Sequence, residues 1–178
     1  MVWKPAWKAR TTWRALIIPR LFERAIQSVI IVTVRVFKTS ELPGILRMER
    51  ECFHRDAWPR EVFLDYAAAV PGLFLVARVD GKIAGYCIAC LTRYGAELAS
   101  LAVRPRYRKC GVATALLQAT LRKLRRSGAA AVWLMVRREN DAAIRLYRKL
   151  GFVRTGTVPN YYDGRSSGWR MRMSLTLQ

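Results

Sequence analysis

Two rhythms of apolar and polar residues alternate along this chain, and the points where one replaces the other predict its elements. Residues 31–37 are β-branched and alternating, which predicts a strand. Ser40 then stands as a cap before a helix over 41–52, with Leu42, Ile45, Leu46 and Glu49 on one face. Trp58-Pro59 opens a second helix that runs to about Ala69. Runs at 73–79 and 82–91 flank Asp80-Gly81, a pair suited to a type I′ turn, which predicts a hairpin. Another strand covers 94–103. A helix over 112–127 turns Ala113, Leu116, Leu117, Thr120, Leu121 and Leu124 to one side and ends at Gly128. A strand over 130–137, a helix over 140–150 stopped by Gly151, and strands over 152–159 and 168–177 complete the series. The order β-α-α-β-β-β-α-β-α-β-β gives an α+β (α/β mixed-sheet) class, a mixed sheet with helices on its faces.

A chain of 178 residues with 52% apolar and 25% charged residues builds one packed domain rather than a disordered polymer. No apolar run approaches the ~18–20 residues of a membrane span. The best, 25–37, is cut by Gln27, Ser28 and Arg35. Residues 1–30 stand apart from the domain expected over 31–178. They set Lys4, Lys8, Arg10, Arg14, Arg20 and Arg24 against the single acid Glu23, interleave Trp3, Trp7 and Trp13, and carry Pro5 and Pro19, which prevent one continuous helix. A short amphipathic helix from about Thr12 fits this stretch. A membrane-surface or RNA-binding arm, a targeting segment, and an element docked on the domain all remain open for it.

Charge changes the picture more than composition does. The formal net charge is +20, with 25 arginines and 7 lysines. Such a field draws anions: RNA, nucleotide-like cofactors, acidic proteins or anionic lipid. It disfavours polycationic small substrates. Cysteine use points to a reducing, cytoplasmic setting. Cys87 and Cys90 form a C-x-x-C, but on a strand they face opposite sides, so free thiols are expected. With one histidine and no second cysteine pair, no metal site is expected.

The chemistry concentrates in two stretches. In the first, Leu101-Ala102-Val103 ends a strand, Pro105 turns the chain, and Arg106, Arg108 and Lys109 lead through Cys110 and Gly111 into the helix at Val112, Ala113 and Thr114. Open N–H groups at a helix start, the helix dipole and a glycine make an anion cradle suited to pyrophosphate. The second stretch runs from Leu134 to Phe152 and includes Val136-Arg137, Asn140, Ala143-Ile144, Leu146-Tyr147 and Gly151-Phe152.

Arg108-x-x-Gly111-x-Ala113, preceded by Val103-x-Pro105, resembles the acetyl-CoA loop of the GNAT superfamily of N-acetyltransferases. The second stretch resembles the protein N-terminal, RimI-like branch of that superfamily. Pro159-Asn160-Tyr161-Tyr162 resembles the tyrosine-rich loop by which this branch holds a peptide N-terminus. The resemblance covers 31–178 and leaves out 1–30. It implies a central, mostly antiparallel sheet and acetyl transfer from acetyl-CoA to a primary amine, foremost a protein's N-terminal α-amine. Backbone of Leu101, Ala102 and Val103 would hold the pantetheine arm, and the loop from Arg108 through Lys109, Cys110, Gly111, Val112 and Ala113 to Thr114 the pyrophosphate. Asn140 would contact the cofactor, Tyr147 would protonate the departing thiolate, Tyr161 and Tyr162 would orient the peptide, and Glu49 would line the substrate groove.

The general base departs from the branch, which places a Glu where this chain has Met135. Glu97 offers itself instead. It lies eleven residues before Arg108 and fourteen before Gly111, a spacing that resembles the catalytic Glu of histone-acetylating members. Strict alternation would put Glu97, Ala99, Leu101 and Val103 on one face. The alternatives are a lysine or small-molecule amine acetyltransferase, and, in another class, an RNA- or membrane-binding module with a degenerate acetyl-CoA site. A monomer or weak dimer is expected. The net charge is compatible with ribosome or RNA association, and Arg122, Lys123, Arg125 and Arg126 form either a solvated helix end or a nucleic-acid patch.

Overall fold

A computed structural model of the chain describes residues 30–162, 164 and 166–176. Nearly all of the basic N-terminal arm, including the helix expected from Thr12, lies outside the described residues. The elements come in the expected order: β1 (Val32–Val36), α1 (Leu42–Phe53), α2 (Arg60–Ala69), β2 (Phe74–Val79), β3 (Lys82–Thr92), β4 (Gly95–Val103), α3 (Val112–Arg126), β5 (Ala131–Arg137), α4 (Asp141–Lys149), β6 (Val153–Tyr162) and β7 (Ser166–Ser174). They make one seven-stranded sheet in the order β1-β2-β3-β4-β5-β7-β6. Neighbours are antiparallel except β4 and β5, which are parallel and joined through α3. Asp80 and Gly81 both take positive φ, 49° and 71°, as a type I′ turn requires. Among the described residues, no helix is long and apolar enough to cross a membrane.

The start of α1 differs from expectation. Ser40 does not cap it. A 3-10 turn, Thr39–Glu41, precedes the helix, and the Glu41 carboxylate accepts the Lys38 N–H at 3.1 Å. The same carboxylate meets Arg35 and Arg78, each at 2.8 Å, and is itself buried. A carboxylate with two guanidiniums and an amide outcompetes a lone hydroxyl for this end.

Each face of the sheet has its own core. Ile45 and Met48 of α1 and Phe63 of α2 pack with Phe74, Tyr86, Ile88 and Ala102. Leu116, Leu117 and Leu124 of α3 and Ile144 and Tyr147 of α4 pack on the other face with Leu134, Phe152 and Met171. Gly85 lets β3, β4 and α3 approach. A Cβ there would stand 2.7 Å from the Ala102 carbonyl and 3.1 Å from Leu116. Cys87 is buried against Thr120 on the α3 side, with a 3.2 Å hydroxyl-to-sulfur hydrogen bond. Cys90 lies next to Glu97 across the β3–β4 ladder.

Two irregularities in β4 shape the middle of the sheet. Ile88 pairs with Ser100 but Ala89 pairs with Leu98, so Ala99 is an extra residue and β4 bulges there. The bulge overturns the strict alternation expected of this strand. Ala99 and Ala102 join the core under α1 and α2, whereas Leu101 and Val103 pack toward α3. Second, β4 pairs with β5 only through Ala96–Val132 and Glu97–Trp133. Beyond those two pairs the strands part.

Candidate active site

The parting of β4 and β5 opens a cleft of about 470 Å³, with residues 98–101 on one wall and 135–137 on the other. It reaches both faces of the sheet. Among the residues singled out from sequence, Glu49, Glu97, Leu101, Asn140, Tyr147, Tyr161 and Tyr162 all line it. Ala102, Val103 and the loop at 108–114 do not line the cleft itself.

Tyr147 enters from the α4 side. It is 7% exposed, and its ring centroid lies 5.6 Å from that of Phe152. Backbone N–H groups of Leu150 and Phe152 close on the Tyr147 carbonyl at 3.1 and 3.0 Å, fixing the end of the helix. Burial pushes the phenol well above its ordinary value, so it stays protonated at neutral pH. Asn140 sets the start of the same helix: its side-chain oxygen accepts the Ala143 N–H at 3.2 Å. That leaves its amide N–H groups for the cleft.

Glu97 reaches the cleft from the opposite face. It is half-buried, and burial raises its carboxyl above the ordinary carboxylate range. Its row across the sheet reads Cys90, Glu97, Trp133, Arg172. Trp133 thus separates it from the nearest cation in that row. Met135 lines the cleft two residues further along β5, and no proton acceptor replaces it on that strand.

Glu49 is a buried carboxylate with both oxygens engaged. One accepts the Trp58 N–H at 3.0 Å, and the other accepts the Tyr86 hydroxyl at 2.5 Å. The Tyr86 hydroxyl also lies 2.9 Å from the Ser100 hydroxyl, which reaches the cleft. Burial raises the Glu49 carboxyl and the two hydrogen bonds oppose the rise. Its geometry is that of a strut: it pins the turn between α1 and α2, where Trp58 stacks on Tyr66 at 5.4 Å.

Tyr161 and Tyr162 end strand β6, which runs past the limit expected from sequence. The β6–β7 register shifts between Val158 and Tyr162, and Asn160 takes a φ of 51°. The two rings meet edge to face at 4.9 Å. Arg137 lies 4.2 Å above the Tyr162 ring and pairs with Asp56 at 2.7 Å. Burial raises the Tyr162 phenol to about 12. Gly168 of β7 makes room here, because a Cβ would fall 2.6 Å from the end of Met135 and 3.3 Å from the Tyr162 ring. Sequence reasoning missed Trp58, Asp56, Ser100 and Gly168. The β5 alternation of Trp133, Met135 and Arg137 was the available signal for the wall of this side.

The basic loop sits at the start of α3. Lys109 and Gly111 take positive φ, 61° and 78°, and Gly111 is the N-cap with no side-chain cap bond. The first N–H groups of α3 are therefore open to a ligand. A Cβ on Gly111 would meet nothing within 4 Å, so the space beside it is clear. Val112 is buried, with 1% of the residue exposed, and its side chain packs into the core beneath α3. Arg108 turns back to the Val103 carbonyl at 3.4 Å, and the Cys52 thiol reaches the same oxygen at 3.5 Å. An acyl carrier with an extended amide arm and a pyrophosphate fits these parts: β4 beyond Glu97 lacks a β5 partner, and the arm can supply one. Among the described residues, no group of three or more His, Cys, Asp or Glu could hold a metal ion.

The profile of the acetyltransferase (GNAT) family matches residues 42–152. The chain is 31% identical over 148 residues to the [ribosomal protein bS18]-alanine N-acetyltransferase of Escherichia coli K12, covering 82% of this chain and 99% of that protein. It is 30% identical over 156 residues to an N-alpha-acetyltransferase of Sulfurisphaera tokodaii, covering 80% and 92%. The crystal structure of Ard1 from Thermoplasma volcanium superposes with a TM-score of 0.76 at 31% identity, covering 82% and 99%.

Proposed function

The chain belongs to the acetyltransferase (GNAT) family, and from that premise we propose that it acetylates the N-terminal α-amine of a protein, with Glu97 as base and Tyr147 as acid. It is an acetyl-CoA-dependent N-acetyltransferase, and acetyl-CoA supplies the acetyl thioester. One observation carries the reading: the gap between β4 and β5 joins two faces of the sheet. Tyr147 lines the cleft from the α4 face and Glu97 from the other. An acid on one side and a base on the other fix the direction of attack.

Glu97, directly or through a water, takes the proton that the substrate ammonium must lose before its nitrogen can form the new C–N bond as the thioester C–S bond breaks. An α-amine with a pKa near ~8 already has a neutral fraction at pH 7, so a modest base suffices. Tyr147 holds its proton until charge develops on the leaving sulfur and then donates it. Leu101, Ala102 and the Val103 N–H offer backbone to the pantetheine, and the loop from Arg108 to Thr114, with Lys109, Cys110, Gly111, Val112 and Ala113 between, offers its N–H groups to the pyrophosphate. Asn140 contacts the carrier. Tyr161, Tyr162 and Trp58 wall the amine side, with Glu49 holding Trp58 in place. The names of the relatives, one acting on ribosomal protein bS18 and one an N-alpha-acetyltransferase, support an α-amine over a lysine. The net charge of +20 supports action near the ribosome in the cytoplasm, where new N-termini emerge among RNA.

The test is acetyl-CoA turnover against peptides with a free or blocked N-terminus, each with and without an internal lysine. Turnover requiring the free α-amine is expected. Turnover that survives the block moves the assignment to lysine. No turnover with any peptide, together with no acetyl-CoA-induced rise in Tm, sinks the enzymatic proposal in favour of a binding module.

A further inference from the structure

The sheet is covered unevenly on the amine side. The core beneath α1 and α2 takes residues from β2, β3 and β4, and none from β5, β6 or β7. On that uncovered part, β7 turns Arg170 and Arg172 outward, while Met171 and Met173 go into the opposite core. Both arginines are exposed, and Val153, beside Arg172 on β6, is 63% exposed. Arg170 pairs with Met135 and Arg172 with Trp133. Directly opposed side chains on one face stand about 4.5–5.5 Å apart at Cβ. Arg170 therefore rises at the rim of the cleft that Met135 lines. It also acts on Tyr161, whose phenol is raised by burial and by the Glu97 charge and lowered by the Arg170 charge.

Among the described residues, neither guanidinium is matched by an acid. The ion pairs among the described residues are Arg35–Glu41, Arg78–Glu41, Arg104–Glu51 and Arg137–Asp56. Two of the nearby carboxylates are committed elsewhere, Asp56 to Arg137 and Glu49 to Trp58 and Tyr86, and Glu97 lies across Trp133 from Arg172 without forming an ion pair with either arginine. The two cations thus stand side by side along β7, two residues apart on one face, with Arg170 beside the cleft-lining Met135.

We propose that Arg170 and Arg172 select substrates carrying acidic side chains shortly after the acetylated residue, within about the second to fifth positions. The inference rests on the α-amine reading and narrows its substrate class. A carboxylate on the peptide takes the place of the missing partner on β7, and basic peptides are repelled from the same strip. Because the strip is solvent-exposed, selection acts mainly on binding and weakens with salt.

The test is kcat/KM for peptides sharing one N-terminal residue and differing only in Asp/Glu, neutral or Lys/Arg at positions two to five, at low and high salt. The full-length chain is compared with Arg170→Gln, Arg170→Glu and Arg170→Glu/Arg172→Glu. Lys82→Glu, at the β2–β3 turn, controls for net charge. Acidic peptides are expected to exceed neutral ones by ~5–10-fold, chiefly in KM, a size fitting two exposed charge pairs. The preference should shrink in Arg170→Gln, invert in the double variant and persist in Lys82→Glu. Should the double variant fail to fold, the two single substitutions carry the comparison. Equal turnover of acidic and neutral peptides overturns the inference, as does a preference that survives Arg170→Gln and Arg170→Glu. If blocked peptides are turned over, the α-amine reading falls, and the selection with it. If turnover needs the free amine yet ignores downstream charge, only the selection falls.

Discussion

On the α3 and α4 side, the surroundings of the cleft offer main chain: the stretch of β4 without a β5 partner on its wall, the helix that Asn140 starts and, outside the cleft itself, the N–H groups after Gly111. On the opposite side it is built from side chains brought by four elements: Glu49 from α1, Glu97 from β4, Met135 from β5, Tyr161 and Tyr162 from β6. Main chain binds what every member of a family must bind, because its groups are the same whatever the sequence. Side chains adapt one residue at a time. The exchange of a carboxylate for Met135 and the bare arginines of β7 both fall on the adaptable side.

The catalytic pair gives the largest test of that division. Tyr147→Phe keeps the packing on Phe152 and removes the proton. It should lower kcat by ~10²–10³-fold with little change in the KM for acetyl-CoA. Glu97→Gln should lower kcat by ~10–100-fold at neutral pH. Its acid limb should also vanish. On the proposed mechanism the parent needs the Glu97 carboxylate, and burial raises its pKa, so kcat/KM should fall as pH drops through a value above the ordinary carboxylate range. A Glu97→Gln profile that keeps this limb would take the base role away from Glu97. Both variants report on side chains, and each tests one face.

Two glycines test the backbone side at a smaller scale. Gly111→Ala adds a methyl that meets no protein atom, at a φ of 78° that costs about 1 kcal/mol. Its main effect should be a roughly tenfold higher KM for acetyl-CoA, where the carrier must come close. Gly85→Ala drives a methyl to 2.7 Å from the Ala102 carbonyl. It should cost about 1–3 kcal/mol and lower Tm by ~2–10 °C while sparing that KM. Calorimetry beside initial-rate kinetics separates them, and matching losses in both variants would erase the distinction.

The smallest effect belongs to Glu49. Burial raises its carboxyl, so the folded chain holds that proton more tightly than the unfolded chain. Its contribution to stability is full below the unfolded pKa, about 4.5, and is lost as pH rises through the folded value. Urea unfolding from pH 4 to pH 7 should show this decline in the parent and a flatter profile in Glu49→Gln. Parallel profiles would exclude Glu49 as its source.

The legibility of the sequence obeys the same division. The second motif is contiguous from Leu134 to Phe152, so strand, helix and the place of Tyr147 on it could be read in order, and Asp80-Gly81 between two apolar runs marked the β2–β3 turn. What could not be read depends on contacts distant in sequence. Ser40 lost its expected role to Glu41, because Arg78 arrives from β2, far along the chain. The bulge at Ala99 comes from pairing with β3 and leaves no mark in β4 itself. Tyr161 and Tyr162 continue a strand because β7 returns to pair with them. Arg170 and Arg172 looked like two more charges in a basic chain until the register placed them beside Met135 and Trp133.

The two residue pairs that join β4 to β5 have a mechanical meaning. Ala96–Val132 and Glu97–Trp133 are the only rungs between a four-stranded half and a three-stranded half of the sheet. They form a seam, and the cleft is its open end. An extended arm lying along β4 adds rungs where the chain has none, so the carrier that feeds the reaction also stitches the two halves. Glu97 is itself one of the native rungs. The residue proposed as base therefore sits at the point about which the halves would pivot, where relative displacement is least.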